Sequence, residues 1–219
     1  MNNKAKYKQS LWLAFLGPDG SGKSSVIEGV KERLNPETFT AVEVIHLRPH
    51  IGLNNMQKKN FSVVADNPHG EKCRSQFSSI IKIMYFFFDY TLGYFIKIKP
   101  LLKNNTLVIF DRYYYDLLVD PKRYRYGGLM WFARLIGRFI PRPNLVILLN
   151  ASAKTIQSRK QEVSAEETAR QTGAYINLAN NMKNAIIIDA EQPIEKVVDD
   201  VNNAISNYMI CRMERRLGK

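Results

Sequence analysis

Short runs of apolar residues recur along the chain, separated by polar, glycine-rich or proline-rich stretches. Leu11–Leu16, Thr106–Phe110, Leu145–Leu149 and Ala185–Ile188 carry almost no polar side chain, and Ala41–Leu47 is a more mixed run. A run that is apolar at every position needs cover on both faces, which is the pattern of a strand inside a parallel sheet. Helix-length segments fall between the runs. The breakers and periodicity predict helices from about 22 to 34, closed by Asn35-Pro36, from 75 to 99, stopped by Pro100, from 129 to 139, from 153 to 160, from 166 to 182, and from 193 to 208. The alternation of strand and helix predicts an α/β fold with a parallel five-stranded sheet flanked by helices. The 219 residues are expected to form one domain, with a short lid at about 157–168. Residues 52–70 and the Tyr- and Arg-rich stretch from Tyr113 to Gly128 read as loops. The segment from 75 to 99 has more apolar residues than one stripe needs, so it is expected to lie between the sheet and a partner surface, with Phe86-Phe87-Phe88 in the core.

The first apolar run leads directly into Gly17-Pro18-Asp19-Gly20-Ser21-Gly22-Lys23-Ser24-Ser25, which satisfies the P-loop pattern. Glycines allow the tight turn that aims successive N–H groups at a chain of phosphates. Lys23 supplies a compact cation for the β- and γ-phosphates, the Ser24 hydroxyl can take one position on Mg2+, and the following helix adds the positive end of its dipole. The loop follows a buried strand and opens a helix, a context that a chance glycine turn with a solvated lysine lacks. Asp111 closes the third apolar run as a Walker-B carboxylate does, where it can hold Mg2+ directly or through water; its alternative is a cap on the next segment. Arg112 follows with a guanidinium suited to phosphate, or to a plain ion pair.

Composition changes the picture little. The formal charge of +12 favours anionic partners but does not choose among nucleotides, nucleic acid and membrane headgroups. Cys73 and Cys211 are far apart and fit inert thiols in a reducing cytoplasm. Lys4, Lys6 and Lys8 before Leu11 imitate a signal peptide, yet the apolar run is short and ends in Pro-Asp-Gly. Lys82, Asp89, Lys97 and Lys99 interrupt the aromatic stretch from Ile80 to Leu102, against a membrane span. His46 and His50 are four apart, but strand and Pro49 context does not put them on one helix face for a metal.

The P-loop, Arg48-Pro49 after the second strand and Phe110-Asp111-Arg112-Tyr113 after the third together resemble the thymidylate kinase family of P-loop nucleoside monophosphate kinases. Arg159-Lys160-Gln161-Glu162 and Tyr175-Ile176-Asn177-Leu178-Ala179 look like that family's lid and the helix after it. The resemblance implies a P-loop NTPase fold, ATP and Mg2+ as cofactors, a homodimer, and a phosphoryl acceptor that is dTMP by family default. It implies that Gly17, Asp19, Gly20, Ser21, Gly22, Lys23, Ser24 and Ser25 embrace ATP phosphates and that Ser24 and Asp111 serve the metal. It places Asp19 near the acceptor sugar, Arg48 near the acceptor phosphate, and Arg112 with Tyr113 on the acceptor side. Gly20 stands where some members carry an arginine, which makes Arg159 and Lys160 of the lid the candidate catalytic cations beside Lys23, Asp111 and Arg112.

The acceptor side departs from the family. Asp89 is followed by Tyr90 where an arginine is usual, His50-Ile51-Gly52 replaces Gly-Gly-Thr, and Tyr114–Pro121 replaces the Ser-Ser and Tyr-Gln segments. Lys122, Arg123 and Arg125, interleaved with Tyr124 and Tyr126, suit an anionic acceptor or a ring, or form a solvated basic loop. Trp131, Phe132, Ile136, Phe139 and Ile140 with Arg134, Arg138 and Arg142 form an amphipathic segment, either packed or touching a membrane or glycolipid. The same scaffold acting on a sugar, sugar phosphate or glycan is therefore the alternative within kinases. A nucleic-acid-binding ATPase or switch is the alternative outside them, with only the net charge for support.

Overall fold

The computed structural model describes residues 10–33, 38–51, 69–70 and 72–218. The expected end of the first helix at 34–36, the amino-terminal polar tail and most of the 52–70 connection lie outside the described residues. Five parallel strands form one sheet: β1 (Leu11–Leu16), β2 (Ala41–His46), β3 (Thr106–Asp111), β4 (Leu145–Asn150) and β5 (Ala185–Asp189), in the order β2-β3-β1-β4-β5. The chain thus has the α/β architecture that the apolar runs predict, with β1 and its loop at the centre.

Both faces of that sheet are covered, as the unbroken apolar runs require. On one face Trp12, Ala14 and Leu16 join Val108, Phe110, Val146 and Leu148. These pack against α2 (Gln76–Lys103), α3 (Tyr114–Val119), α4 (Met130–Gly137) and α6 (Ala165–Asn180) through Ile83, Phe86, Leu117, Ala133 and Tyr175. On the other, Leu11, Leu13 and Phe15 meet α1 (Lys23–Arg33) and α7 (Ile194–Arg216) through Val26, Val30, Val198 and Val201, beside Ile156 of α5 (Ala153–Arg159). Side chains alternate between the faces along each strand, so the central strands β1, β3 and β4 feed both cores, while the edge strands β2 and β5 leave residues such as Val44 and Ile187 exposed.

Three expectations on element boundaries and one on burial are corrected. Pro100 does not stop α2, because a π-helical turn at Tyr94–Ile98 precedes it and Lys99 N–H bonds Tyr94 O. The proline then sits in the first turn of the last segment, Lys99–Lys103, where no N–H is needed. The Tyr113–Gly128 stretch is not all loop: Asp116 accepts from the Tyr113 N–H at 2.8 Å and starts α3. Helix α7 runs eight residues beyond Tyr208, with Arg212 bonded to Ser10 O at 2.7 Å. Phe86 is in the core and Phe87 packs against it half-buried, but Phe88 is 51% exposed. Helix α2 is long and apolar enough to cross a membrane, but Ile83, Phe86, Tyr90 and Ile98 belong to the core of the sheet.

Candidate active site

The loop after β1 is built by backbone geometry that side chains resist. Gly17, Gly20 and Gly22 have φ of 140°, 85° and 89°. A Cβ on Gly17 would lie 2.8 Å from Leu149 O, so strand β4 itself forbids one there. Lys23 is buried with its ammonium folded back, donating to Gly17 O at 2.7 Å and Pro18 O at 2.8 Å. Burial pushes that ammonium below the ordinary lysine value, against the pull of Asp111 and Asp116. Ser24 and Ser25 are exposed in the first turn of α1. Ser21 is buried beneath the loop, its Oγ 3.4 Å from Lys23 Nζ.

Gly20 touches the carboxyl end of α5. A Cβ there would lie 3.0 Å from Ile156 O and 3.2 Å from Lys160 Cβ. Gly20→Ala is expected to cost about 1–2 kcal/mol from the positive φ and the crowding, and to slow turnover by displacing Lys160. Thermal melting and initial rates check both; an unchanged melt and rate would show that the loop and the end of α5 do not meet.

Strands β1 and β3 are adjacent, with Phe15 opposite Asp111, so the sheet carries the Asp111 carboxylate to the mouth of the loop. Asp111 Oδ2 lies 3.4 Å from His46 Nδ1, while Oδ1 is buried and has no hydrogen-bond partner among the described residues. Burial pushes this carboxyl up, but the His46 hydrogen bond and the Lys23, His46 and Arg123 charges more than offset it, leaving it below the usual carboxylate value. An ionised, unpartnered oxygen beside a P-loop fits a hard cation, so the donor set suits Mg2+ at Asp111 with the exposed Ser24 hydroxyl as a second oxygen ligand.

Directly after Asp111 the backbone of Arg112 adopts φ of 73°, held by its N–H to Phe15 O at 3.1 Å. That bend returns the guanidinium over the P-loop, where it meets Asp19 and, at 3.3 Å, Asp116. Asp116 is anchored in turn by Tyr175 Oη at 2.7 Å. Asp19 also receives Arg123, which lies 3.2 Å from Glu162, and Glu162 takes Lys160 at 2.5 Å. One ionic chain therefore links β3, the P-loop, the loop after α3 and the segment between α5 and α6. Glu162 sits below the usual carboxylate value, because Lys160 and Arg123 outweigh the upward push of its burial.

A second cationic group lies against α2. Arg48 is 3% exposed, stacked between Tyr85 and Phe86 at 4.9 and 4.7 Å, with Nη1 on Asp89 Oδ2 at 2.9 Å. Among the described residues its Nε has no partner, and neither has the buried Tyr124 hydroxyl. Asp89 also fixes the turn after β2 by accepting from Ile51 N–H at 2.9 Å, and Tyr90 Oη donates to Leu47 O. Lys82, one side of the same helix, donates to Tyr124 O and lies 5.6 Å from the Phe86 ring. Its pKa falls to about 8, first through burial and then through the charges of Arg74, Arg48 and Arg125.

Of the residues the sequence singles out, the structure brings together Lys23, Asp19, Asp111, Arg112, Arg123 and Lys160. Arg48 stands in the second group. Arg159 turns away and donates to Ala190 O at 3.0 Å, beside the turn after β5. Arg125 braces the 72–74 segment through Lys72 O at 3.3 Å and the Arg74 N–H. Tyr113 is buried, its ring on Tyr90 and its hydroxyl on Pro141 O. Lys82, Asp89 and Asp116 were not singled out as site residues. Their signal was weak: Lys82 and Asp89 are seven apart on one helix face, and Asp116 is three beyond Tyr113.

Known proteins match this arrangement over most of its length. The family model for thymidylate kinase matches residues 15–201. The chain is 24% identical over 222 residues to a thymidylate kinase of Leuconostoc mesenteroides, covering 91% of this chain and 96% of that protein. It is 30% identical over 126 residues to a probable thymidylate kinase of Thermococcus onnurineus, 52% of this chain and 59% of the relative. The crystal structure of thymidylate kinase from Ehrlichia chaffeensis superposes with a TM-score of 0.63 at 16% identity, covering 90% of this chain and 98% of that one. With the P-loop, the strand-end carboxylate and the family model agreeing across the sheet, the chain belongs to the thymidylate kinase family and is a kinase.

Proposed function

We propose that this kinase transfers the γ-phosphoryl of Mg2+-bound ATP in line to an acceptor phosphate, dTMP being the first candidate and dTDP its product. The observation that carries the reading is the ionic chain around Asp19: Arg112, Arg123 and Lys160 face one loop, each held by a carboxylate that can release it to phosphate oxygens, beside Lys23 on the loop's own carbonyls. Phosphoryl transfer asks the protein for positioning and for cations around the moving group. Lys23 serves the β- and γ-phosphates, Arg112 and Arg123 the transferring group, and Lys160 closes with the lid. Arg159, on the Ala190 carbonyl, belongs with the donor end. Mg2+, held by Asp111 and Ser24, would neutralise charge between the phosphates.

Arg48 is the acceptor-phosphate residue in this reading, its Nε being an unsatisfied donor in a buried cationic group. Tyr90 favours a second reading. It fills the place of the family's usual arginine and spends its hydroxyl on Leu47 O, leaving Lys82 as the added cation. A sugar phosphate or phosphorylated glycan end would suit that altered group. ADP release against dTMP, the other nucleoside monophosphates and a set of sugar phosphates separates the readings. Turnover with dTMP supports the first, turnover with sugar phosphates alone the second, and none with any acceptor overturns both.

The Lys82 value predicts a pH effect. Below about 8 Lys82 is charged and above it neutral, whereas a phosphate monoester stays dianionic across this range, its second pKa being about 6. Acceptor KM is therefore expected to rise between pH 7 and pH 9 with kcat little changed, and Lys82→Met to abolish the step. A KM that is flat with pH would take Lys82 out of acceptor binding. The same depressed value makes the unfolded chain hold more protons between about 8 and 10.5, so stability rises with pH there, and Lys82→Met flattens that rise too.

We place the contact of a homodimer on the outward face of α2, where Phe77, Ile81, Phe88, Leu92, Phe95 and Ile96 are exposed. A cytoplasmic location accords with a nucleotide-using kinase and with two unpaired, exposed cysteines among the described residues.

A further inference from the structure

We propose that the outward face of α4 docks the protein onto an anionic lipid surface. Its inner face is fixed by the fold: Tyr114 Oη donates to Ala133 O at 2.8 Å, Ile140 is buried, and a Cβ on Gly137 would lie 2.8 Å from the Tyr114 ring. The opposite face then has no choice of direction. Trp131, Arg134 and Leu135 are exposed, at spacings of three and four that put them on one side of the helix, and Arg138 and Phe139 in the turn that follows it and Arg142 beyond are exposed too. Trp131 is 61% exposed, Leu135 39% and Phe139 65%.

An aromatic and aliphatic stripe interleaved with arginines is the composition of a helix lying in a lipid interface. The rings enter the headgroup and acyl boundary while the guanidiniums stay at the phosphates. Charge decides for an anionic surface. Every carboxylate between residues 72 and 142 is at least partly buried, namely Asp89, Asp111, Asp116 and Asp120, so this part of the chain presents cations outward without exposed acidic partners. Neither Arg134, Arg138 nor Arg142 meets a carboxylate among the described residues.

Two other occupants fit worse. A second copy seated on the same face about a two-fold axis would bring its arginines against their own equivalents. A nucleic acid would take the arginines but leave Leu135 in water. The inference is independent of the acceptor, since none of these residues belongs to the phosphate site.

Sedimentation of the full chain with phosphatidylcholine vesicles, with and without phosphatidylglycerol, tests it. Binding is expected only to the anionic vesicles and to weaken with salt. Arg134→Gln with Arg138→Gln is expected to lower affinity about tenfold or more. Trp12 is buried and Trp131 exposed, so binding should shift tryptophan emission to the blue, and Trp131→Phe should remove the shift while leaving most binding. Unchanged thermal melting and ATP binding establish that these variants are folded. Equal binding to both vesicle types, or no binding and no shift, overturns the proposal. So does a dimer in lipid-free solution that the arginine substitutions dissociate, which would give the face to a second copy.

Discussion

Lys23→Ala is expected to lower turnover by roughly 10²-fold or more while the fold survives. The ammonium is buried, and its own hydrogen bonds are to the carbonyls of Gly17 and Pro18, groups of the loop it serves. In the absence of phosphate it therefore braces the loop. In the proposed reaction it would exchange those carbonyls for oxygens of the β- and γ-phosphates. Burial already disfavours the charged form, so losing the side chain relieves a desolvation cost as it removes two hydrogen bonds. The melting temperature should accordingly move by no more than about 3 °C, the equivalent of about 1 kcal/mol in a chain of this size. Steady-state kinetics together with thermal melting separate the effects. Near-normal turnover would remove the P-loop from the chemistry, and a collapsed melt would make Lys23 a structural residue.

Asp89→Leu should have the largest effect on stability. Asp89 is the counter-charge of the buried Arg48 and also receives the Ile51 N–H, so the substitution strands a guanidinium at 3% exposure and an amide together. Breaking a buried pair from one side costs about 3–5 kcal/mol, because the remaining charge is left uncompensated. A loss of about 10 °C in melting temperature follows. Adding Arg48→Met should restore much of the stability, since an apolar side chain fits the slot between Tyr85 and Phe86 without needing a partner. Acceptor KM should stay high in the double variant, where no guanidinium remains. A single variant that melts like the parent would show that Arg48 is not held by Asp89; a double variant with normal KM would remove Arg48 from acceptor binding.

The parts of this molecule that were legible in the sequence are those encoded by neighbours. Leu11–Leu16 is apolar at every position because both its faces are covered, and the loop that follows is nine consecutive residues. Strand β3 ends in Asp111 at its own carboxyl end, so its place beside the loop needs only the parallel order of the sheet. Helix α3 was not legible because no Ser, Thr, Asn or Asp stands at its cap; Tyr113 does, and the capping oxygen comes from Asp116 inside the helix. Pro100 misled because the π-helical turn before it absorbs the missing N–H, a device without a residue signature. The Arg48–Asp89 pair joins residues 41 apart in sequence, and Lys82 finds its partners across a helix, a loop and Tyr124. Such ties depend on how α2 crosses the sheet, which local pattern does not carry. For the same reason Arg159 and Lys160, adjacent in sequence, end on different partners, Ala190 O and Glu162.

The central claim is transfer of phosphate, and the most direct measurement follows γ-labelled ATP in the presence of Mg2+ and dTMP, with the products separated. Label in dTDP at a rate that falls with Lys23→Ala is the expected result. Label released only as inorganic phosphate, at a rate indifferent to any acceptor, would contradict the claim and describe a hydrolase on this scaffold.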